Sequence, residues 1–116
     1  MAGSFGRLET REGIIPSDLT DMSVLVLKTM ADPMRLQMLW ALCREDLSLP
    51  ELAQQIGVSP TVAGQFLSKL RAANVLQANK SGRRTIYSMH DERTREFVYQ
   101  TIDFARYRLT VQESVS

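Results

Sequence analysis

Residues 51–76 read ELAQQIGVSPTVAGQFLSKLRAANVL, and this stretch decides the fold. It predicts a short helix that ends at Gly57, because glycine readily adopts the left-handed conformation of a helix C-cap. Ser59 and Pro60 then predict the start of a second helix, with a capping side chain followed by proline at the first helical position. Two helices joined by a short turn containing glycine form a helix-turn-helix.

The second helix, predicted over residues 60–73, has an apolar side and a polar side. The core side is expected to hold Ala63, Phe66, Leu67 and Leu70, and the other side carries Thr61, Gln65, Ser68 and Lys69. The polar side of such a helix can enter the major groove of DNA, and its N-terminal amides can bind phosphate. Gly64 lowers helix stability by roughly 1 kcal/mol relative to alanine, so a small residue there indicates the close approach of another backbone.

A basic hairpin is predicted directly after this helix. Residues 76–80 and 85–89 are expected to form its two strands, with a turn at Ser81, Gly82 and Arg83. The tip therefore gathers Lys80, Ser81, Arg83 and Arg84, where apolar burial is least expected. Such a wing would follow the DNA backbone or enter the adjacent minor groove.

The charge distribution predicts double-stranded DNA as the partner. From Leu52 to His90 the chain holds no acidic residue but five basic ones, although the whole protein has thirteen acids and a net charge of only +1. Charge runs usually mark solvated surface, but so one-sided a patch favours a polyanionic partner. Gln65 is expected to read adenine, and Lys69 and Arg71 to contact phosphates. The predicted DNA-binding residues are Ser59, Pro60, Thr61, Gly64, Gln65, Ser68, Lys69, Arg71, Lys80, Ser81, Arg83 and Arg84.

Three further helices are predicted around this unit. The first begins at Ser17 or Asp18, either of which can cap it, and the second runs over residues 33–44 behind an Asp32 cap. The last begins near Asp91, which can cap it. The predicted fold class is mainly α with a small β-hairpin, a winged helix-turn-helix of about five helices and a two-stranded wing.

The length of 116 residues corresponds to one domain. We assign residues 17–110 to that domain, residues 1–16 to a flexible arm and residues 111–116 to a frayed C-terminus. A brief extended piece is expected at residues 47–49.

Composition excludes several classes of protein. No run of 18 apolar residues and no secretory signal are present, and a single cysteine fits a reducing, cytoplasmic setting. One histidine, one cysteine and no convergent carboxylate pair leave little catalytic material, so no enzyme is predicted. A protein-interaction module with a winged-helix shape but without DNA binding is the alternative, which Gly64 and Phe66 favour because they make the polar face less polar.

Four segments resemble the ArsR/SmtB family of bacterial winged-helix repressors. Residues 30–36, MADPMRL, are similar to the family's LADPTRL, and residues 51–62 resemble its ELA…GLSQSTV segment. Residues 67–76 resemble its LKVLREAGLV, and residues 82–87, GRRTIY, are similar to its wing, GRRVYY. The match covers roughly residues 22–107 with the family's spacing throughout.

The resemblance implies a homodimer, formed through the first and last helices, that represses transcription until an effector releases it. The first helix is apolar nearly all round, so it must bury a second face. The expected interface consists of Leu19, Met22, Val26, Phe97, Val98, Thr101, Ile102 and Ala105. A dimer places two recognition helices about one turn of DNA apart, so a pseudo-palindromic operator is expected.

Neither of the family's usual metal sites is complete in this chain. Cys43 stands alone, with Glu45 where a second cysteine would lie, and Arg93 replaces the histidine that follows Asp91. Arginine does not lose its proton in proteins, so it is no ordinary ligand. We therefore predict no metal or other cofactor, and an unknown small-molecule or redox effector. Two minor alternatives are an atypical metal site built from His90 with Asp91 and Cys43, and redox sensing by Cys43.

Overall fold

The computed structural model describes residues 13–115, so the predicted arm over residues 1–16 lies mostly outside the described residues. The described part forms α1 (Ser17–Met30), α2 (Pro33–Arg44), β1 (Leu47–Ser48), α3 (Leu49–Ile56), α4 (Pro60–Ala72), β2 (Leu76–Ser81), β3 (Arg84–Met89) and α5 (Glu92–Val115). No helix among these residues is long and apolar enough to cross a membrane. The predicted helix-turn-helix with a wing is confirmed.

Local capping chemistry explains where most helices begin. The side chains of Asp32, Ser59 and Asp91 accept backbone N–H bonds from Arg35, Val62 and Thr94, at 3.0, 3.2 and 2.8 Å. These three caps are as the sequence predicts. The first helix differs, because its N-cap is Pro16 without a side-chain hydrogen bond, so capping by Ser17 or Asp18 is wrong.

The wing is part of a three-stranded antiparallel sheet in the order β1-β3-β2, rather than a two-stranded hairpin alone. Strands β2 and β3 pair from Leu76 opposite Met89 to Ser81 opposite Arg84. The two residues of β1 pair with β3, with Ser48 opposite Ile86. The edge strand fixes the base of the wing to the body of the protein.

Helix α2 lies at the centre and packs against the other four helices and β3. The largest fully buried side chains are Met38, Leu39, Leu42, Leu52, Leu67, Leu70 and Val98. Val98 is only 1% exposed within a single protomer, so its expected place in a dimer interface is wrong. It anchors α5 to the core instead.

Helix α5 is 24 residues long and extends well past the core. Its side chains from Asp103 to Thr110 are all exposed. The helix continues to Val115, beyond Thr110, where the sequence predicts fraying. At 1.5 Å per residue it is about 36 Å long, so its second half projects from the domain.

Candidate nucleic-acid interface

Helices α3 and α4 pack against each other across the turn at residues 57–59. Gly57 takes the predicted left-handed conformation, with φ of 84°, and the N–H groups of Gly57 and Val58 both donate to the Ala53 carbonyl, at 2.9 and 3.0 Å. These bonds close the end of α3 and redirect the chain into α4.

The two sides of α4 separate almost as the sequence predicts. Ala63, Leu67 and Leu70 are buried, and Phe66 packs half-buried against the same core. The polar residues Ser59, Thr61, Gln65, Ser68, Lys69 and Arg71 are all exposed, as is Pro60. Thus α4 offers solvent a row of hydrogen-bonding side chains that ends in two cations.

Gly64 does not belong to this exposed row. A Cβ atom at this position would lie 3.5 Å from Cδ1 of Leu49, on α3. The residue therefore faces the neighbouring helix, and what approaches it is a side chain rather than the expected backbone. Because Gly64 and Phe66 both face inward, the exposed side of α4 is more polar than the sequence suggests.

The tip of the wing is exposed and cationic. Gly82 has a φ of 66°, which glycine adopts without strain, and this lets β2 reverse into β3. Lys80, Ser81 and Arg83 are exposed. Across residues 13–115 no hydrogen bond or ion pair engages the side chains of Lys69, Arg71, Lys80 or Arg83. These four charges are available to an external partner.

Arg84 differs from the other predicted DNA contacts, because its guanidinium already has two partners. Its Nη2 donates to Oγ of Ser48 at 2.9 Å and lies 3.1 Å from Oε1 of Glu51. Hydrogen bonds from the Ser48 backbone and hydroxyl, and then from Arg84, lower the pKa of Glu51. Glu51 is therefore an anion at neutral pH.

Sequence reasoning overlooked Glu51 because it lies one position before the acid-free segment. A signal was available, since Ser48 and Glu51 have the spacing of a capping box. The structure contains that box: Glu51 Oε1 accepts from the Ser48 N–H at 2.9 Å, and Ser48 Oγ accepts from the Glu51 N–H at 3.3 Å. The box places an acidic group at the base of the basic wing.

The expected dimer residues lie on an apolar surface formed by α1 and α5. Met22 is 55% exposed and Phe97 is 43% exposed, Ala105 is exposed, and Leu19, Val26, Thr101 and Ile102 are half-buried. Large exposed side chains that the prediction omitted are Val24, Leu25 and Leu27 on α1 and Phe104, Tyr107 and Leu109 on α5. Phe104 and Tyr107 are neighbours with ring centroids 6.1 Å apart. Their spacing along the sequence is the signal that could have identified them.

Cys43 is a buried thiol rather than an exposed one. Its Sγ lies 3.9 Å from the Arg95 carbonyl, and burial raises its pKa, although the charge of Arg95 opposes the shift. His90 contacts Asp91 over 3.2 Å. No group of three or more His, Cys, Asp or Glu side chains within residues 13–115 could hold a metal ion, so the alternative site from His90, Asp91 and Cys43 does not form there.

The fold and this exposed surface define a winged helix-turn-helix protein. The family model described as "Bacterial regulatory protein, arsR family" matches residues 32–78 of this chain. The HTH-type transcriptional regulator KmtR of Mycobacterium tuberculosis is 32% identical over 88 residues, which cover 76% of this chain and 68% of that protein. The chain belongs to the arsR family of bacterial regulatory proteins, which are DNA-binding transcriptional regulators.

Two other proteins are similar to this chain at lower sequence identity. A biofilm growth-associated repressor of Xylella fastidiosa is 27% identical over 73 residues, 63% of this chain and 64% of that protein. The homodimeric winged helix-turn-helix domain of Mb0332 from Mycobacterium bovis superimposes with a TM-score of 0.78 at 24% identity, covering 85% of this chain and 94% of that domain. The latter likeness concerns the fold.

Proposed function

We propose that two copies of this chain bind a pseudo-palindromic DNA operator and repress transcription until an effector releases them. The observation that carries the proposal is the exposed polar row of α4 beside a wing tip whose cations lack internal partners. Phosphates of duplex DNA are the partner that such a surface fits. A repressor among the similar proteins supports the direction of regulation.

Gln65 and the cations have different roles in this proposal. The amide of Gln65 can pair with the N6 and N7 atoms of adenine in the major groove, which gives sequence preference. Lys69, Arg71, Lys80 and Arg83 contact phosphates, which gives affinity on any sequence. Ser59, Thr61 and Ser68 supply shorter hydrogen bonds along the same row.

The exposed apolar surface of α1 and α5 supports dimerisation. Soluble monomers rarely leave contiguous apolar patches of this kind in water. Tyr107 and Leu109, at 58% and 63% exposure, lie on the part of α5 that projects beyond the core. Burying this surface against a second copy would unite two α4 helices in one dimer, and the homodimeric domain from Mycobacterium bovis is consistent with such an assembly.

An effector can act where the two dimerisation helices approach each other. A cavity of about 510 Å³ lies between α1, the loop after α4 and the start of α5, and its lining includes Met22, Val26, Asn74, Asp91, Arg93 and Phe97. A small molecule there releases DNA only if it binds the DNA-free form more tightly than the bound form. A redox signal through Cys43 has less support, because buried thiols with raised pKa values react slowly.

The competing function, a protein-interaction module, loses the feature that favoured it. Gly64 and Phe66 were the less polar residues of α4, and both face the protein interior. The remaining exposed residues of α4 are polar or cationic, apart from Pro60 and Ala72. A surface of this kind suits DNA better than a protein partner.

Selection from a random duplex pool, followed by binding measurements with two variants, tests the proposal. Gln65→Ala should reduce the preference for the selected duplex over a scrambled one by about 1–3 kcal/mol, the value of a bidentate base contact. Arg83→Ala should weaken both duplexes by the same factor. Failure to enrich any duplex, or equal losses on both duplexes for both variants, would contradict this assignment.

A further inference from the structure

We propose that Arg84 positions the wing instead of contacting DNA, and that Ser48 and Glu51 are the residues through which it does so. This inference rests on the proposed DNA-binding function. It assigns different roles to Arg83 and Arg84, two adjacent residues for which the sequence predicts the same role. Arg83 belongs to the phosphate-contacting surface, whereas Arg84 belongs to a clasp, defined as Ser48, Glu51 and Arg84, at the base of the wing.

The hydroxyl of Ser48 makes the clasp necessary. Ser48 is 2% exposed, so its Oγ atom is cut off from water and needs partners within the protein. The Arg84 guanidinium donates to it at 2.9 Å and the Glu51 N–H donates to it at 3.3 Å, while the hydroxyl itself donates to the Glu51 carboxylate. Removing Arg84 would take away the shorter of the two hydrogen bonds that this buried oxygen accepts.

The clasp also joins β1, the first turn of α3 and the start of β3, elements that pack against each other. Strand β1 has only two residues, and Ser48 pairs with Ile86, two positions beyond Arg84 on β3. Glu51 lies in the first turn of α3, which packs against α4. Arg84 thus links the start of β3 to the helix-turn-helix, and the link sets the angle between the wing and α4.

Electrostatics separate Arg84 from the available cations. Its charge is balanced by the carboxylate of Glu51 at 3.1 Å, so the pair presents little net charge to a phosphate. Four cations per protomer then remain for DNA, or eight per dimer. Each neutralised phosphate contributes about −0.9 to the slope of log K against log[salt], so the limiting slope is about −7 rather than about −9.

The variant Glu51→Gln isolates the charge of the clasp. Glutamine at the third helical position retains the capping-box hydrogen bond to the Ser48 N–H, so α3 keeps its N-terminus. Only the negative charge next to Arg84 is lost. Arg83→Gln is the matched control, since it removes an equal charge from the neighbouring position.

The experiment measures binding to one duplex over a series of salt concentrations for single and double variants. Arg83→Gln should flatten the dimer's slope by about 1.8, the value for two phosphates. Arg84→Gln should lower affinity by the same factor at every salt concentration, with the slope changed by less than about 0.5. Glu51→Gln should steepen the slope by up to about 1.8, and adding Arg84→Gln to it should remove that gain.

Amide hydrogen exchange in the DNA-free protein supplies a second readout. Loss of the clasp should speed exchange at β1 and the start of β3 by about tenfold in Arg84→Gln, given the usual strength of a charged hydrogen bond, and leave it unchanged in Arg83→Gln. The inference is overturned if Arg84→Gln flattens the salt slope as much as Arg83→Gln does, or if exchange at β1 is unaffected. A wild-type slope near zero would instead refute DNA binding, and the exchange result would still decide whether the clasp holds the wing.

Discussion

Replacing Gly64 with alanine should stabilise the protein and leave DNA binding intact. Glycine in the interior of a helix lowers stability by roughly 0.8–1.0 kcal/mol relative to alanine. The new Cβ would lie 3.5 Å from Leu49 Cδ1, an ordinary van der Waals distance, so no strain offsets this gain. Since the position is half-buried, burial of the methyl group adds at most about 0.4 kcal/mol. The expected increase in the free energy of unfolding is therefore about 1 kcal/mol.

Chemical denaturation at fixed protein concentration measures this change, and thermal unfolding should show a rise of about 4 °C. Gly57→Ala is the matched control. No atom lies within 4 Å of a Cβ added at Gly57, but its φ of 84° is unfavourable for alanine, so stability should fall by about 1 kcal/mol. If Gly64→Ala lowered stability, the assigned packing of α3 against α4 would be wrong. If it kept stability but abolished DNA binding, Gly64 would face the groove after all.

Three further predictions concern α5. Hydrogen bonds from the side chain and N–H of Thr94 lower the pKa of Asp91 from 3.8 to about 2, so its stabilising effect is present above pH 3.8 and is lost as the pH falls through 2. Asparagine can still cap the helix, so Asp91→Asn should weaken the dependence of the free energy of unfolding on pH between pH 3.8 and 2. An unchanged dependence would contradict the assigned role of the Asp91 carboxylate. Val98→Ala should cost about 2 kcal/mol without weakening self-association in sedimentation equilibrium, and weakened association at unchanged stability would restore Val98 to the interface. Phe104→Ser should weaken self-association without lowering the stability of the protomer, and unchanged association would exclude this end of α5 from the interface.

The parts of the fold that could be read from the sequence depend on neighbouring residues. The start of α2 follows from Asp32 and Pro33, and the end of α3 follows from Gly57, because each signal acts within one turn of chain. The registration of the wing likewise depends on a short turn around Gly82. These local rules placed the helix-turn-helix and the exposed face of α4.

The parts that could not be read depend on contacts between distant residues. Ser48 and Arg84 are 36 positions apart, so no local pattern shows that Arg84 is engaged. The pairing of β1 with β3 has the same cause. Val98 illustrates a different limit, since an apolar stripe on α5 looks the same whether it packs on its own core or on a partner. Only the three-dimensional arrangement separates the two.

The dependence of DNA affinity on salt, measured for the wild-type protein with one defined duplex, tests the central claim most directly. Eight available cations in a dimer predict a straight line of log K against log[salt] with a limiting slope of about −7. A slope near zero would show that the exposed cations of α4 and the wing do not meet phosphates, and would contradict the account.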